Sequence, residues 1–417
     1  MKLRQLFLKS NSTFWFLLTF LAVFLVLFIR PVFLKNTSMQ FPNYIPAEET
    51  IGWDFKDRLE FSKAIFLEGE SPYLPSNYYP PFEAVFFGPF IFLDYFTAYK
   101  ILTLINILCF SFVTILIPIL LTKEKRITPI HMAIIIASFF SYGFQFEIER
   151  GQFNVIAIFF ALLAVYVFYF HKEKRIWAYV LLTIAIQLKV YPLIFVLMFV
   201  EDWKDWKKVV GQISIIGSLN LASLFILGPT IFKDFIISIT KNIASPAKSG
   251  GNMSIQSFSG KLVKAYPWLN EQVVFFLLFA LICLCILIVF LVETESKRKN
   301  VVSPHLLLAC TIGAMLIPSV SWDFKMSILP PAVVYFFNSH TGLLDDEPLI
   351  KKKILKIGLF TLFSGLFLWT FFSTYTNKPK ILLLQSNFPP LFIILIIVTM
   401  MAAMTSKQAK EDVISSQ

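Results

Sequence analysis

Asp54 stands in Gly52-Trp53-Asp54-Phe55, shortly after the first long apolar run. It opens a segment that continues through Gly69-Glu70-Ser71-Pro72-Tyr73 to Tyr78-Tyr79-Pro80-Pro81. A carboxylate held at a membrane surface, followed by a Pro- and Tyr-rich segment, suits a general base acting on a lipid-borne substrate. An ordinary loop carboxylate, or an N-cap for the next helix, is the plainer alternative. Lys189, in Leu188-Lys189-Val190-Tyr191-Pro192, follows an apolar run and precedes a helix-breaking proline. It suits a phosphate ligand at the break between two short helices; a snorkelling lysine is the alternative. Arg150 carries the same two readings, with Glu147 or Glu149 as a simple ion-pair partner. Gln152 and Asn154 begin a span, where they serve as caps or as hydrogen-bonding groups for hydroxyls. Asn252 and Ser254, then Ser319, Ser321, Asp323 and Lys325, complete the set of polar groups at span ends on one side. Charged groups near hydrocarbon are costly, so their gathering on one face implies one polar cavity.

The elements that must hold these groups are transmembrane helices. The chain has 417 residues, 57% hydrophobic and 15% charged. A soluble domain with that composition could not wet its surface. The apolar runs, such as Phe14–Ile29 and Phe275–Val292, are long and continuous, unlike the alternating segments of a membrane barrel. Spans are expected near 12–30, 97–121, 129–147, 153–170, 209–228, 271–292, 301–319, 354–375 and 387–404. Ile176–Val200 reads as two short helices meeting at Lys189-Val190-Tyr191-Pro192. The short stretch Lys325–Phe337, with Pro330-Pro331, must also cross. The fold class is therefore an all-α polytopic membrane protein of about 12 transmembrane helices.

Charge sets the orientation. With the N-terminus inside, the inside loops are 1–11, 123–128, 171–175, 201–208, 293–300, 338–353 and 405–417. They hold 20 of the 37 Lys and Arg, in clusters of two or three, which is the positive-inside pattern. The net charge of +11 is explained by these clusters and gives no ground for nucleic-acid binding. Met1-Lys2-Leu3-Arg4 and the following apolar run read as an uncleaved signal anchor. The transmembrane unit covers 1–404, and 405–417 is a short cytoplasmic tail, expected to fray. Two outer loops are long, 33–80 and 229–270, and both carry apolar periodicity that predicts short helices lying along the membrane. One such stretch is near Asp57–Leu67.

Several chemistries lack their residues. There is no G-x-x-x-x-G-K-[ST], H-E-x-x-H or G-x-S-x-G, so ATP-driven work, zinc hydrolysis and serine hydrolysis have no support. The four histidines map to inside loops or inside span ends. Cys109, Cys283, Cys285 and Cys310 lie inside apolar runs and read as core or lipid-facing residues rather than disulfides. Glu83, Asp94 and Lys100 read as interfacial, without a role.

The motifs, taken in order, resemble a known family. They are Asp54-Phe55, Gly69-x-Ser-Pro72-Tyr73, Tyr79-Pro80-Pro81, Gly151-Gln152-Phe153-Asn154, Leu188-Lys189-Val190-Tyr191-Pro192, Gly251-Asn252-Met253-Ser254 and Pro318-Ser319-Val320-Ser321-Trp322. This order resembles glycosyltransferase family 87, in the GT-C superfamily of polyprenyl-phosphate-sugar-dependent membrane transferases. The resemblance spans roughly residues 50–335. It implies a GT-C-type bundle with membrane-parallel helices in two outer loops, a lipid-phosphate-sugar donor, inversion, and a catalytic aspartate at Asp54. Relatives often carry histidine soon after Ser-x-Ser-Trp. This chain has Trp322-Asp323-Phe324-Lys325, so either Lys325 takes over as a phosphate partner or the substrate differs.

The expected chemistry follows. Lys189, Arg150 and Lys325 meet the charge of the departing polyprenyl phosphate. Gln152, Asn154, Asn252 and Ser254, with Tyr79 and Trp322 from the motifs, form the expected sugar- and acceptor-binding set. Mannose is the default sugar by family frequency, and the acceptor is a glycolipid or glycan at the outer face of the plasma membrane. No cofactor is required; a divalent metal on one carboxylate and the donor phosphate is conceivable but not indicated. Two rivals stand beside this reading, the first sharing the span count and the second the large outer loop and outside basic residues. A transporter or flippase would show related halves and mid-membrane ionisable pairs. An O-antigen ligase or polymerase would fit the Asp-led first loop poorly.

Overall fold

The computed structural model describes residues 51–73, 77–122, 129–139, 141–244, 251–295, 301–340 and 388–415. The expected spans 12–30 and 354–375, the start of the first outer loop and several inside clusters lie outside them. The described chain is all-helical, and its only β feature is one isolated antiparallel bridge, Asn252 to Trp322.

In chain order the helices are α1 (Trp53–Lys63), α2 (Phe82–Phe87), α3 (Tyr95–Ser111), α4 (Ile117–Leu121), α5 (Pro129–Phe139), α6 (Tyr142–Arg150) and α7 (Asn154–Phe170). There follow α8 (Arg175–Leu188), α9 (Trp206–Leu224), α10 (Pro229–Ala244), α11 (Ile255–Ala265), α12 (Glu271–Glu295), α13 (Pro304–Leu316), α14 (Leu329–His340) and α15 (Phe388–Ser415). Many starts are written in side chains. Asp94, Ser141, Ser254 and Ser303 accept from backbone N–H groups of α3, α6, α11 and α13 at 3.1, 3.4, 3.1 and 3.0 Å. The segment between α3 and α4 is a π-helical turn, so the two run as one span, Tyr95–Leu121.

By length and apolarity, three described helices can cross a membrane: Tyr95–Leu121, Glu271–Glu295 and Phe388–Thr405. Two sharply bent pairs raise this to five: Ile134–Arg150 with Asn154–Phe170 at 111°, and Trp206–Leu224 with Pro229–Lys241 at 105°. The chain is thus a membrane protein, and the described part holds fewer full spans than the dozen expected. The reason is that several expected spans are built from short pieces. Ile176–Val200 is α8 followed by a 3-10 helix, Tyr191–Phe199, broken at Lys189 where Pro192 forbids α-continuation. Lys325–Phe337 is a 3-10 turn, Asp323–Ile328, running into α14. The expected span 301–319 holds only the 13-residue α13. Such short pieces survive because protein, not lipid, surrounds them: all of α13 is buried.

The stretch 229–270 holds two helices, α10 and α11, where apolar periodicity predicted short helices. The stretch near Asp57–Leu67 is the second half of α1 and a π turn. The chain after 404 differs from expectation: α15 continues unbroken to Ser415. No proline or glycine stands between Phe392 and Ser415 to end it.

The core is rich in phenylalanine. Phe55, Phe87 and Phe153 interlock around α1, with ring centroids 5.8 and 5.0 Å apart for successive pairs. Phe110 stacks on Phe144 at 3.8 Å, tying α3 to α6. Cys285 and Cys310 are buried, Cys109 and Cys283 half-buried, and all four are free thiols.

α6 packs on the 3-10 turn that carries Lys325, and Gly143 sets their separation. A Cβ there would lie 2.8 Å from Met326 Cβ and 2.9 Å from the Ser327 backbone nitrogen. Because a backbone atom cannot swing aside as a side-chain tip can, Gly143→Ala is expected to destabilise the protein by about 1–3 kcal/mol. Thermal unfolding in detergent measures it; an unchanged melt would refute the close contact.

Candidate active site

The site begins with a crossing of two glycines. Gly52, at φ 75°, precedes α1, and Gly151, at φ 66°, follows α6. Left-handed backbone of this kind favours glycine. The Gly52 N–H donates to the Glu149 carbonyl at 2.7 Å. A Cβ on Gly151 would lie 2.6 Å from Phe55 Cβ and 3.2 Å from Gly52 Cα. Tyr95 Oη donates to the Ile51 carbonyl, and Tyr99 Oη to the Ile148 carbonyl at 2.8 Å, so α3 clamps both strands of the crossing. The Asn106 amide holds the Gln152 carbonyl at 2.8 Å.

This crossing sets Asp54 beside Gln152. Asp54 lies in the first turn of α1 but does not cap it; the cap position is Gly52 and has no side-chain bond. The Asp54 side chain turns away from its own helix, and Gln152 Nε2 donates to Asp54 Oδ2 at 2.7 Å. Gln152 Oε1 in turn accepts from Lys189 Nζ at 2.8 Å. Lys189 Nζ also donates to Tyr79 Oη at 2.9 Å and sits over the Tyr79 and Phe153 rings at 4.3 and 4.0 Å. Burial raises the Tyr79 phenol well above its usual range, so it meets the ammonium as a neutral hydroxyl. Asp54, Gln152, Lys189 and Tyr79 therefore form one continuous hydrogen-bonded chain across four separate segments. Among the described residues Asp54 Oδ1 carries no hydrogen bond, and Asp54 is half-exposed.

A second, fully buried layer lies beneath. Arg58, one turn after Asp54, donates through Nε to the Asp54 carbonyl at 3.3 Å and through Nη1 to Asn77 Oδ1 at 3.3 Å. It pairs with Glu83 at 3.4 Å and lies 4.5 Å over the Tyr79 ring. Burial raises the Glu83 carboxyl, and Arg58 opposes that rise. Asn77 Oδ1 also accepts from the Tyr79 N–H at 3.1 Å, and the Asn77 carbonyl accepts from Ser238 of α10. Arg58 and Asn77 were not among the residues picked out by motif or spacing, and Glu83 had no role. The available signal was Arg58 at i+4 from Asp54, which puts it on the same face of a helix.

Glu147 is turned inward rather than toward Arg150. Its Oε2 accepts from Asn154 Nδ2 at 2.8 Å and Ser327 Oγ at 3.1 Å, and its Oε1 from the Val155 N–H at 3.0 Å. Asn154 is thus committed to Glu147 and does not cap α7, whose cap position is Phe153. Arg150 lies against Glu149 at 3.6 Å and the Phe146 ring at 5.2 Å, the simple ion pair of the two readings. Lys325 is buried, 5.0 Å over the Tyr191 ring, and Tyr191 Oη donates to the Asn154 carbonyl at 2.9 Å. Glu147 is a charge neighbour of both Lys189 and Lys325.

Asn252, Ser254 and Trp322 form a third group. Asn252 Oδ1 accepts from the N–H groups of Ser321 and Ser254 at 2.9 and 3.0 Å. Asn252 Nδ2 and Ser254 Oγ both reach the Ser319 carbonyl, at 3.1 and 3.0 Å. Both residues are fully buried, and Ser254 also caps α11. Their polar atoms are engaged in tying the start of α11 to the segment 319–322, with Trp322 half-exposed beside them. Lys261 on α11, absent from the sequence-based set, reaches the Asn252 carbonyl at 3.5 Å.

The Gly52–Gly151 crossing has a direct test. Gly151→Ala adds a Cβ inside contact distance of Phe55 and forces an L-residue into left-handed backbone, which alone costs about 1–2 kcal/mol. It is expected to lower the melting temperature and to break the Asp54–Gln152 approach, read as lost disulfide trapping between cysteines placed at 54 and 152. Efficient trapping in Gly151→Ala would show that the crossing does not set this distance.

A family model described as glycosyltransferase family 87 matches residues 77–319. A search of curated proteins finds no match. The matched stretch contains Tyr79, Arg150, Gln152, Asn154, Lys189, Asn252 and Ser254; Asp54, Trp322 and Lys325 lie just outside it. Because the match covers more than half of the 417 residues, this membrane protein belongs to glycosyltransferase family 87.

Proposed function

We propose that the chain transfers a sugar, mannose by default, from a polyprenyl-phosphate donor to a glycolipid or glycan acceptor at the outer face of the plasma membrane. The supporting observation is the hydrogen-bonded chain from Asp54 through Gln152 to Lys189 and Tyr79. It joins a half-exposed carboxylate to a buried cation through one neutral amide, as an acceptor base and a leaving-group site require.

The reaction is one inverting displacement. Asp54 takes the proton from the acceptor hydroxyl while that oxygen bonds to the anomeric carbon. The bond from that carbon to the phosphate oxygen breaks, and its electron pair stays on the polyprenyl phosphate. Lys189 and Lys325 stabilise the growing negative charge, and Arg150 contributes from the rim. One carboxylate suffices for this route, whereas retention would need a second as nucleophile, by the logic of glycosidases. Gln152 and Tyr79 line the approach between base and cation and are the first candidates for sugar hydroxyl contacts. Trp322 offers a half-exposed ring to a sugar face. Asn154, Asn252 and Ser254 act from behind, holding Glu147 and the 319–322 segment in place. N- and C-termini face the cytoplasm in this reading, by the positive-inside pattern.

The test is transfer by the purified protein from a panel of polyprenyl-phosphate sugars. Asp54→Asn is expected to lower kcat by about 10²- to 10⁴-fold with donor binding retained. Lys189→Gln is expected to lower kcat/KM by about 10- to 100-fold through loss of a charged hydrogen bond to phosphate. If the native protein transfers nothing from any such donor, yet moves lipid or solute across vesicles, transport replaces transfer. If Asp54→Asn turns over normally, the base lies elsewhere.

A further inference from the structure

Tyr78 is tethered on both sides, yet its hydroxyl is engaged by no other described residue. On one side, Asn77 Oδ1 accepts from Arg58 Nη1 at 3.3 Å and from the Tyr79 N–H at 3.1 Å, and the Asn77 carbonyl accepts from Ser238 of α10. On the other, the Tyr79 carbonyl accepts from Tyr73 Oη at 2.8 Å, and Pro80-Pro81 follow. The Tyr78 and Tyr79 rings stack, with centroids 5.2 Å apart and planes at 26°. Tyr79 has other supports: Arg58 and Lys189 lie over its ring at 4.5 and 4.3 Å, and Phe153 packs against it at 5.6 Å. Tyr78 is therefore held firmly without being needed as a prop.

Its ring stands at the mouth of the base site. Asp54 and Tyr78 are both half-exposed. Arg58 joins their segments, reaching the Asp54 carbonyl with Nε and Asn77 with Nη1. Tyr79 joins them a second time, through Lys189 and Gln152. Arg58, Asp54 and Asp57 are charge neighbours of the Tyr78 hydroxyl. The adjoining Tyr79 phenol and burial both raise the Tyr78 phenol, so it stays neutral. Tyr79 covers one face of the ring, which leaves the other face and the edge for solvent.

We infer that Tyr78 is the platform for the acceptor sugar, with the C–H face of the sugar against the free face of the phenol ring and its hydroxyl edge turned to Asp54 Oδ1. A sugar ring has an apolar face and a polar edge. An aromatic ring buries the first and leaves the second free to react. Segment 77–79 then divides the site: Tyr78 meets the acceptor, and Tyr79, through Lys189, meets the leaving group. Tyr78 sets position and specificity and neither takes nor gives a proton. The inference rests on the reading of Asp54 as the acceptor base.

The experiment reads binding, not transfer. Saturation-transfer NMR on the full chain in detergent uses the methyl glycosides of mannose, glucose, galactose and arabinofuranose, with farnesyl phosphate titrated separately for the leaving-group side. One glycoside is expected to bind the native protein, with saturation strongest on the C–H protons of one sugar face. Tyr78→Leu is expected to weaken that glycoside about three- to tenfold and to leave farnesyl phosphate unchanged. Tyr78→Phe and Tyr78→Trp keep glycoside binding within about twofold, and with the saturation pattern they cover the case in which Tyr78→Leu misfolds. A merely structural role would weaken both ligands together. That result, binding of no glycoside, even saturation over the sugar, full binding in Tyr78→Leu, or loss in Tyr78→Phe would each overturn the inference. A protein that binds a glycoside through Tyr78 but transfers nothing upholds the platform and refutes the transfer reading instead.

Discussion

Everything at the centre of this protein hangs on one amide. Gln152 donates to Asp54 and accepts from Lys189, and its orientation is not free. An ammonium can only donate and a carboxylate can only accept, so the amide oxygen must face Lys189 and its nitrogen must face Asp54. A direct Asp54–Lys189 ion pair would neutralise both groups and bury the carboxylate. The interposed amide keeps them one side chain apart, and Asp54 stays half-exposed with one oxygen uncommitted among the described residues.

That amide can act only because two backbone segments touch. The Gly52–Gly151 crossing leaves no room for a Cβ on Gly151, and the clamp from Tyr95 and Tyr99 holds it from the side of α3. Beneath it, Arg58 ties the Asp54 carbonyl to Asn77, Glu83 and the Tyr79 ring. A buried ion pair of this kind is a weak source of stability, since desolvation offsets most of its attraction. Its contribution is geometric: Arg58 is shared between the helix that carries Asp54 and the segment that carries Tyr79. Glu147 does the same on the other flank, joining α6, the start of α7 and the turn of Lys325 through three hydrogen bonds.

Much of this was legible in the sequence, for identifiable reasons. Asp54, Gln152 and Lys189 were picked out because ionisable or polar groups at the ends of apolar runs are costly and need a purpose; Tyr79 came only from the motif Tyr79-Pro80-Pro81 of the family resemblance. The break at Lys189 was visible because Pro192 cannot continue an α-helix. The helices within 229–270 followed from apolar periodicity. What could not be read was pairing over long separations. Nothing in the chain says that Glu147 chooses Asn154 and Ser327 over Arg150, or that Arg58 meets Glu83. Nor could local pattern show that Asn252 and Ser254 would be consumed in bracing residues 319–321, because those partners lie more than 60 positions away. The run of α15 past 404 was missed for a different reason. Polar residues 405–415 looked like a tail, yet they hold good helix formers and no stop signal.

The position of Asp54 relative to the family match is informative. The match begins at residue 77, so the aspartate lies outside the stretch by which the family is recognised. Its partners do not: Gln152, Glu149 and Gly151 lie within that stretch, and each contacts the Gly52–Phe55 segment. The matched core therefore offers a preformed dock of fixed shape, a left-handed glycine, a backbone carbonyl and an amide, and the preceding loop supplies a short piece that fits it. A carboxylate delivered in this way is held by backbone geometry rather than by its own charge. It can lose or gain a proton without losing its place, because the Gly52–Glu149 bond and the Gly151 contact do not depend on its ionisation.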